Sequence, residues 1–150
     1  MIEITALHTG DRPRWTELWR AYLAFYETEF PQPIYDETWT RILRGEVLHG
    51  LAARAGGDVI GITHYLFHPS AWTLTPVCYL QDLFVDPSHR GHGAGRALIE
   101  AVAERARAQS STRLYWLTQA HNAPARALYD RIAKHTGFIR YEYQLTQPQS

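Results

Sequence analysis

Cysteine is nearly absent: Cys78 is the single one in 150 residues. No disulfide can close within the chain, and a cysteine-based metal site is not expected. An excess of charge is also missing, with 15 Lys and Arg against 15 Asp and Glu, so no field of one sign argues for nucleic acid or an anionic membrane as partner. No apolar run approaches the ~20 residues that span a bilayer. Met1-Ile2-Glu3-Ile4-Thr5 has neither the basic start nor the apolar middle of a secretory signal. Repeats, linkers and low-complexity blocks are lacking as well. What is present, 45% hydrophobic and 13% aromatic residues, suffices for the core of one domain over residues 1–150. The expectation is a soluble, cytoplasmic protein.

Patterning divides the chain into ten elements. Ile2 to Ala6 reads as a strand. Asp11 offers an N-cap for a helix whose apolar positions Trp15, Leu18, Trp19, Tyr22 and Tyr26 follow a 3.6-residue period. Pro31 and Pro33 bound it. Asp36 is expected to cap a second helix, with Trp39, Ile42 and Leu43 inward and Gly45 as its stop. Leu51 to Arg54, a turn at Gly56-Gly57-Asp58, and Val59 to Phe67 read as a hairpin. The loop His68-Pro69-Ser70 leads towards a central strand, Val77 to Val85. A long helix then buries Leu98, Ile99, Val102 and Ala106. Leu114 to Thr118 predicts a short strand, and Asn122 caps a helix through Ala127, Leu128 and Ile132. Ile139, Tyr141, Tyr143 and Leu145 alternate with polar residues as a final strand, before a frayed tail at 147–150. The order β-α-α-β-β-β-α-β-α-β is an α+β plan.

The segment that carries chemistry runs from the central strand into the long helix: Leu83-Phe84-Val85-Asp86-Pro87, then Arg90-Gly91-His92-Gly93-Ala94-Gly95-Arg96. A glycine-rich loop at a helix N-terminus leaves backbone N–H groups free where the helix dipole is positive, which suits a pyrophosphate. Glycine allows close approach, and Arg90 adds a charge-assisted contact. Gly95 is not followed by Lys and Ser or Thr, so a Walker A loop fails. Arg96 stands where the dinucleotide fingerprint needs its third glycine. A plain flexible turn is the bland alternative, and the ordered strand before and amphipathic helix after weigh against it.

The loop resembles the acetyl-CoA loop of the GNAT N-acetyltransferase superfamily, whose pattern Gln/Arg-x-x-Gly-x-Gly/Ala is met by Arg90, Gly93 and Gly95. A second motif is similar too: a strand, then Asn-x-x-Ala-x-x-Leu-Tyr at Asn122 to Tyr129, then Gly137-Phe138. The six residues Arg131-Ile132-Ala133-Lys134-His135-Thr136 lengthen the usual gap between that tyrosine and the glycine. The resemblance implies a mixed, mostly antiparallel sheet flanked by helices, with a splayed central strand that receives acetyl-CoA. Leu83, Phe84 and Val85 would supply its backbone contacts to the pantetheine and an oxyanion donor. Tyr129 would contact the cofactor and protonate the departing thiolate, and Asn122 would touch the cofactor. Leu-x-Asp-Leu-Phe-Val at Leu80 to Val85, with Tyr22 and Phe25-Tyr26, is closest in look to the polyamine and histone/polyamine branch, which acetylates primary amines. The resemblance also implies a homodimer, since many relatives pair through C-terminal strands.

The base is where the pattern departs. Glutamine at Gln81 stands where that branch has a glutamate, and it cannot accept a proton. Asp82 is next in line as the catalytic carboxylate, although strand alternation points it to the opposite face. Other routes are a water chain ending at Glu27, Glu29 or His121. Tyr26, Glu27 and Gln81 are candidates for the amine site, because acidic groups interleaved with aromatics suit a cation. No metal is expected: His64 and His68 are four apart on a strand. Two functions remain, an acetyl-CoA-dependent N-acetyltransferase acting on a small-molecule or peptide amine, and a non-catalytic acyl-CoA-binding sensor of the same fold.

Overall fold

A computed structural model describes residues 1–146; the tail expected to fray, 147–150, lies outside them. The described chain divides into two compact units, Met1–Trp116 and Leu117 onward.

The first unit is a five-stranded sheet in sequential order. Strand β1 (Ile2–Ala6) pairs antiparallel with β2 (His49–Ala55), β2 with β3 (Asp58–His68), and β3 with β4 (Val77–Val85). Strand β5 (Leu114–Tyr115) joins β4 in parallel. The β2–β3 turn needs positive φ at two successive residues, and Gly56 and Gly57 supply 59° and 90°.

Helices α1 (Arg12–Phe25) and α2 (Gln32–Arg44) cover one face. Trp15 stacks on Trp19 at 5.2 Å and lies tilted against Trp39 at 4.9 Å between ring centroids. Leu18, Leu23, Tyr35, Ile42, Ile62 and Phe84 complete that core. Helix α3 (Ala94–Ala108) covers the opposite face with the expected Leu98, Ile99, Val102 and Ala106, all buried. Gly61 permits the close approach there: a Cβ on it would lie 3.1 Å from the Phe84 carbonyl oxygen and 3.3 Å from Leu98. Among the described residues no helix is long and apolar enough to cross a membrane.

Four expectations for the first unit are corrected. Helix α2 starts after Pro31, not at Asp36. Proline reads as a breaker, yet it is tolerated in a first helical turn, where its missing N–H has no partner to lose. Asp36 instead accepts from Arg12 and Gln32. Leu43 is exposed, one step off the buried stripe. Asp11 precedes α1, but its carboxylate accepts from the His8 N–H and from Arg54 rather than capping the helix. Strand β5 is two residues long, not five.

The second unit contains α4 (Ala123–Ile132), preceded by Asn122 and carrying no fully buried residue. The expected final strand is absent: residues 133–146 form neither helix nor strand, and Ile139, Tyr141, Tyr143 and Leu145 are exposed. Alternation marks a chain able to lie half-buried on a sheet, but a strand also needs an edge to bond with.

Candidate active site

The site grows from β4. Its register against β3 runs Tyr65 to Leu80 and then His64 to Asp82, so Gln81 has no partner and forms a bulge. A bulge bends the strand and re-aims the side chains beside it; Asp82, on the face that alternation sets opposite Gln81, meets a structural partner there, His64. Gln81 is exposed and Asp82 half-buried. On the other edge, β4 pairs with β5 only at Cys78 with Leu114 and Tyr79 with Tyr115. From Leu80 to Val85 that edge has no strand beside it among the described residues. An edge with no strand partner is the kind at which an extended ligand bonds as a strand would. Leu83 and Val85 are half-buried and Phe84 is buried.

Asp86 ends the strand and ties it to the loop. Its carboxylate accepts from Arg14 at 2.6 Å and from the Ser88 N–H and hydroxyl at 2.9 and 2.8 Å. The Arg14 bond, then those from Ser88, hold Asp86 well below the usual carboxylate range. A 3-10 turn at Pro87–His89 leads into the glycines. Gly91 and Gly93 have φ of 83° and 88°, a region that penalises other residues. No side chain caps α3, whose first N–H groups have no partner within the helix. Ala94 is buried, Gly95 half-buried, and Arg90, Gly91, His92, Gly93 and Arg96 are exposed. Arg90 donates from Nε to the Val85 carbonyl at 3.0 Å with its guanidinium 5.3 Å from the Phe84 ring centroid. Arg96 pairs with Glu100 one turn along.

An aromatic wall leads from this strand to the end of α1. Tyr22 lies 6.1 Å from Phe84 and 5.0 Å from Tyr26, ring to ring. Glu27 follows, exposed, at a φ of 55° that is unusual for a non-glycine residue. In the second unit Asn122 sets its amide 3.5 Å from the Thr118 hydroxyl, and Tyr129 is half-buried two turns along α4.

Behind Asp82 is a cluster that sequence reasoning missed. Trp15 Nε1 donates to His64 Nε2 at 2.8 Å, and His64 Nδ1 lies 2.8 Å from Asp82 Oδ2. Thr63 donates its hydroxyl to the Asp82 main-chain carbonyl at 2.7 Å. Trp15, Thr63 and His64 are fully buried. The only signal was a histidine inside an apolar strand, and its partners lie 49 and 18 residues away. Trp19 Nε1, in the same cluster, is buried with no hydrogen-bond partner among the described residues. Cys78 is also fully buried, and burial pushes its thiol up to about 11, away from nucleophilic chemistry. Among the described residues no three His, Cys, Asp or Glu gather closely enough to hold a metal ion.

A sheet that opens beside β4, a bulge, and a glycine-rich start to α3 define an acyltransferase architecture. The chain belongs to the family described as "Acetyltransferase (GNAT) family", matched over residues 15–133. It is 35% identical over 144 residues to the D-amino-acid N-acetyltransferase HPA3 of Saccharomyces cerevisiae, spanning 94% of this chain and 89% of that protein. Over 62 residues it is 39% identical to the thialysine N-epsilon-acetyltransferase of Mus musculus, 41% of this chain and 36% of that one. The fold matches the structure of AAC(6')-Iy in complex with a CoA bisubstrate analog at a TM-score of 0.84 and 19% identity, covering 97% of this chain and 99% of that one. The protein is an acetyltransferase with the GNAT fold.

Proposed function

We propose that the chain, acting as one catalytic domain, transfers the acetyl group of acetyl-CoA to a primary amine by direct attack in a ternary complex. The observation that carries this reading is the continuity of an open strand edge, Leu83 to Val85, with an uncapped helix start at Gly93 to Arg96. The edge suits an amide-bearing pantetheine arm and the helix start suits its pyrophosphate. Arg90, Gly91, His92, Ala94 and Gly95 belong to the same seat. A backbone N–H of Leu83 to Val85 stabilises the oxyanion. Tyr26, Glu27 and Gln81 face the acceptor in this proposal.

Asp82 takes one proton from the acceptor ammonium. The amine nitrogen then bonds to the thioester carbonyl carbon, and the carbon–sulfur bond breaks. The second nitrogen proton leaves to water as the amide forms, and Asp82 returns the first to solvent before the next turnover. By the family motif, Tyr129 protonates the thiolate and regains a proton from solvent, and Asn122 contacts the cofactor. The substrates for which two relatives are named, D-amino acids and thialysine, carry the amines of amino acids. They favour an amino-acid amine over the polyamine of the closest-looking branch, with lysine and N-terminal amines in the same class.

The test is release of CoA thiol across D- and L-amino acids, thialysine, polyamines, aminoglycosides and basic peptides. Turnover on one amine class is expected, with kcat lowered roughly 10²- to 10⁴-fold in Tyr129→Phe. Equal rates in Tyr129→Phe would remove the general-acid role. Gln81, lacking a basic oxygen, favours a second reading as an acyl-CoA sensor; tight acetyl-CoA binding with no turnover on any amine would select it. A homodimer built through Ile139, Tyr141, Tyr143 and Leu145 belongs to the same proposal, and light scattering at the mass of two chains is its check.

A further inference from the structure

The cluster behind Asp82 is closed from three sides by residues the reaction scheme does not use. Trp15 is a donor only, so the nitrogen it faces must carry a lone pair. Its Nε1 lies 2.8 Å from His64 Nε2. A proton on that nitrogen would set two donors against each other at hydrogen-bond distance. The single ring hydrogen therefore sits on Nδ1, directed at Asp82 Oδ2 at 2.8 Å. The tautomer follows from the indole alone.

The same two β3 residues hold Asp82 at two points. His64 engages one carboxylate oxygen, while its neighbour Thr63, from the other face, engages the main-chain carbonyl. Asp82 follows the Gln81 bulge, so strand register alone does not orient it. Among the described residues the Oδ1 atom takes no hydrogen bond, and the side chain keeps 16% of its surface exposed, against 1% for His64. The groups set against the imidazole are Asp82 from β4 and the Trp15 and Trp19 rings from α1. Burying a histidine and half-burying a carboxylate costs stability unless each is bonded. Here each bond also fixes a direction.

Resting on the acetyltransferase reading, we propose that His64 is a positioning residue: locked by Trp15 with its hydrogen on Nδ1, it holds Asp82 with one oxygen engaged and the other open to the acceptor ammonium. The arrangement reverses the usual roles of a catalytic His–Asp pair. Trp15 occupies the nitrogen that would accept a proton, so the histidine does not act as base. It orders the carboxylate that meets the amine, and the proton passes from Asp82 to solvent, not to the imidazole.

Two substitutions separate positioning from packing. His64→Asn keeps an N–H donor near the place of Nδ1, and His64→Leu fills similar space without one. With the full chain and the amine that wild type turns over, His64→Leu is expected to lower kcat/KM for the amine roughly 10- to 100-fold, the scale on which lost supporting bonds act. The acetyl-CoA KM stays within about twofold, and His64→Asn regains most of the loss, because the donor rather than the ring matters. Equal losses in both variants, or a matching rise in acetyl-CoA KM, would overturn the positioning role. Should both variants fail to fold, ¹⁵N spectra of wild-type His64 at neutral pH decide. A protonated Nδ1 with a bare Nε2 is expected; the opposite tautomer or an imidazolium would overturn it. Wild type that binds acetyl-CoA but acetylates no amine would sink the acetyltransferase reading and the positioning role together. Turnover that is indifferent to His64→Leu would sink only the latter.

Discussion

The two faces of the sheet are filled by different chemistry. Under α1 and α2 the core is aromatic, with Trp15, Trp19, Trp39, Tyr35 and Phe84 around a buried His64. Under α3 it is aliphatic, with Leu98, Ile99, Val102 and Ala106. An aliphatic layer offers no donors, so it can hold a helix start in place but cannot accommodate a buried polar pair. Indoles combine apolar area with an N–H, and Trp15 uses that N–H to admit His64 and, through it, Asp82. One face holds the glycine-rich start of α3; the other holds Asp82 through a buried histidine.

Truncating each core separates these roles most sharply. Trp15→Ala removes a fully buried ring and leaves His64 Nε2 without its donor. A loss of about 3–5 kcal/mol in denaturant unfolding is expected, together with a fall in amine kcat/KM per folded molecule. Leu98→Ala is expected to cost about 2–5 kcal/mol and leave that per-molecule value unchanged. Matching activity losses in the two variants would erase the distinction.

Gly61 lies where the α3 face meets β4. In Gly61→Ala the new methyl would sit 3.1 Å from the Phe84 carbonyl oxygen, 3.3 Å from Leu98 and 3.4 Å from Val85. The loss should be about 1–3 kcal/mol. Because the displaced atoms end the strand at the glycine-rich loop proposed to seat the cofactor, calorimetry should show weaker acetyl-CoA binding with amine KM little changed. The reverse pattern would place the effect on the aromatic face instead.

The smallest effect concerns the ion pairs beside the loop. Asp86, bonded by Arg14, and Asp11, bonded by Arg54, are both depressed from an ordinary value of 3.8. Carboxylates depressed in the folded state contribute stability that is fully present above that value and lost as pH falls through their folded values. Tm should therefore decline below about pH 4. Asp86→Asn should cost about 1 kcal/mol at neutral pH and flatten the acid limb. A parallel curve in Asp86→Asn would show that Arg14 and Asp86 contribute nothing through charge.

Legibility followed the range of the forces involved. The β4 limits, Val77 to Val85, and the buried stripe of α3 were readable because period and composition act within a few residues. Helix α2 was misread at its start because proline signals a break and a first turn with the same letter. The final strand was misread because alternation supplies a face but no hydrogen-bonding edge. The Gln81 bulge was invisible, since register is decided between strands.

By itself the sequence determined the family, the helix start at Gly93 to Arg96 and the polypeptide order, because glycine placement and hydrophobic period are local properties. Only the tertiary structure decided that Gln81 bulges out of register, and that Trp15, Thr63 and His64 converge on Asp82. Those choices depend on hydrogen bonds between residues 18 to 49 positions apart. Such bonds exist only once both faces of the sheet have packed and excluded water.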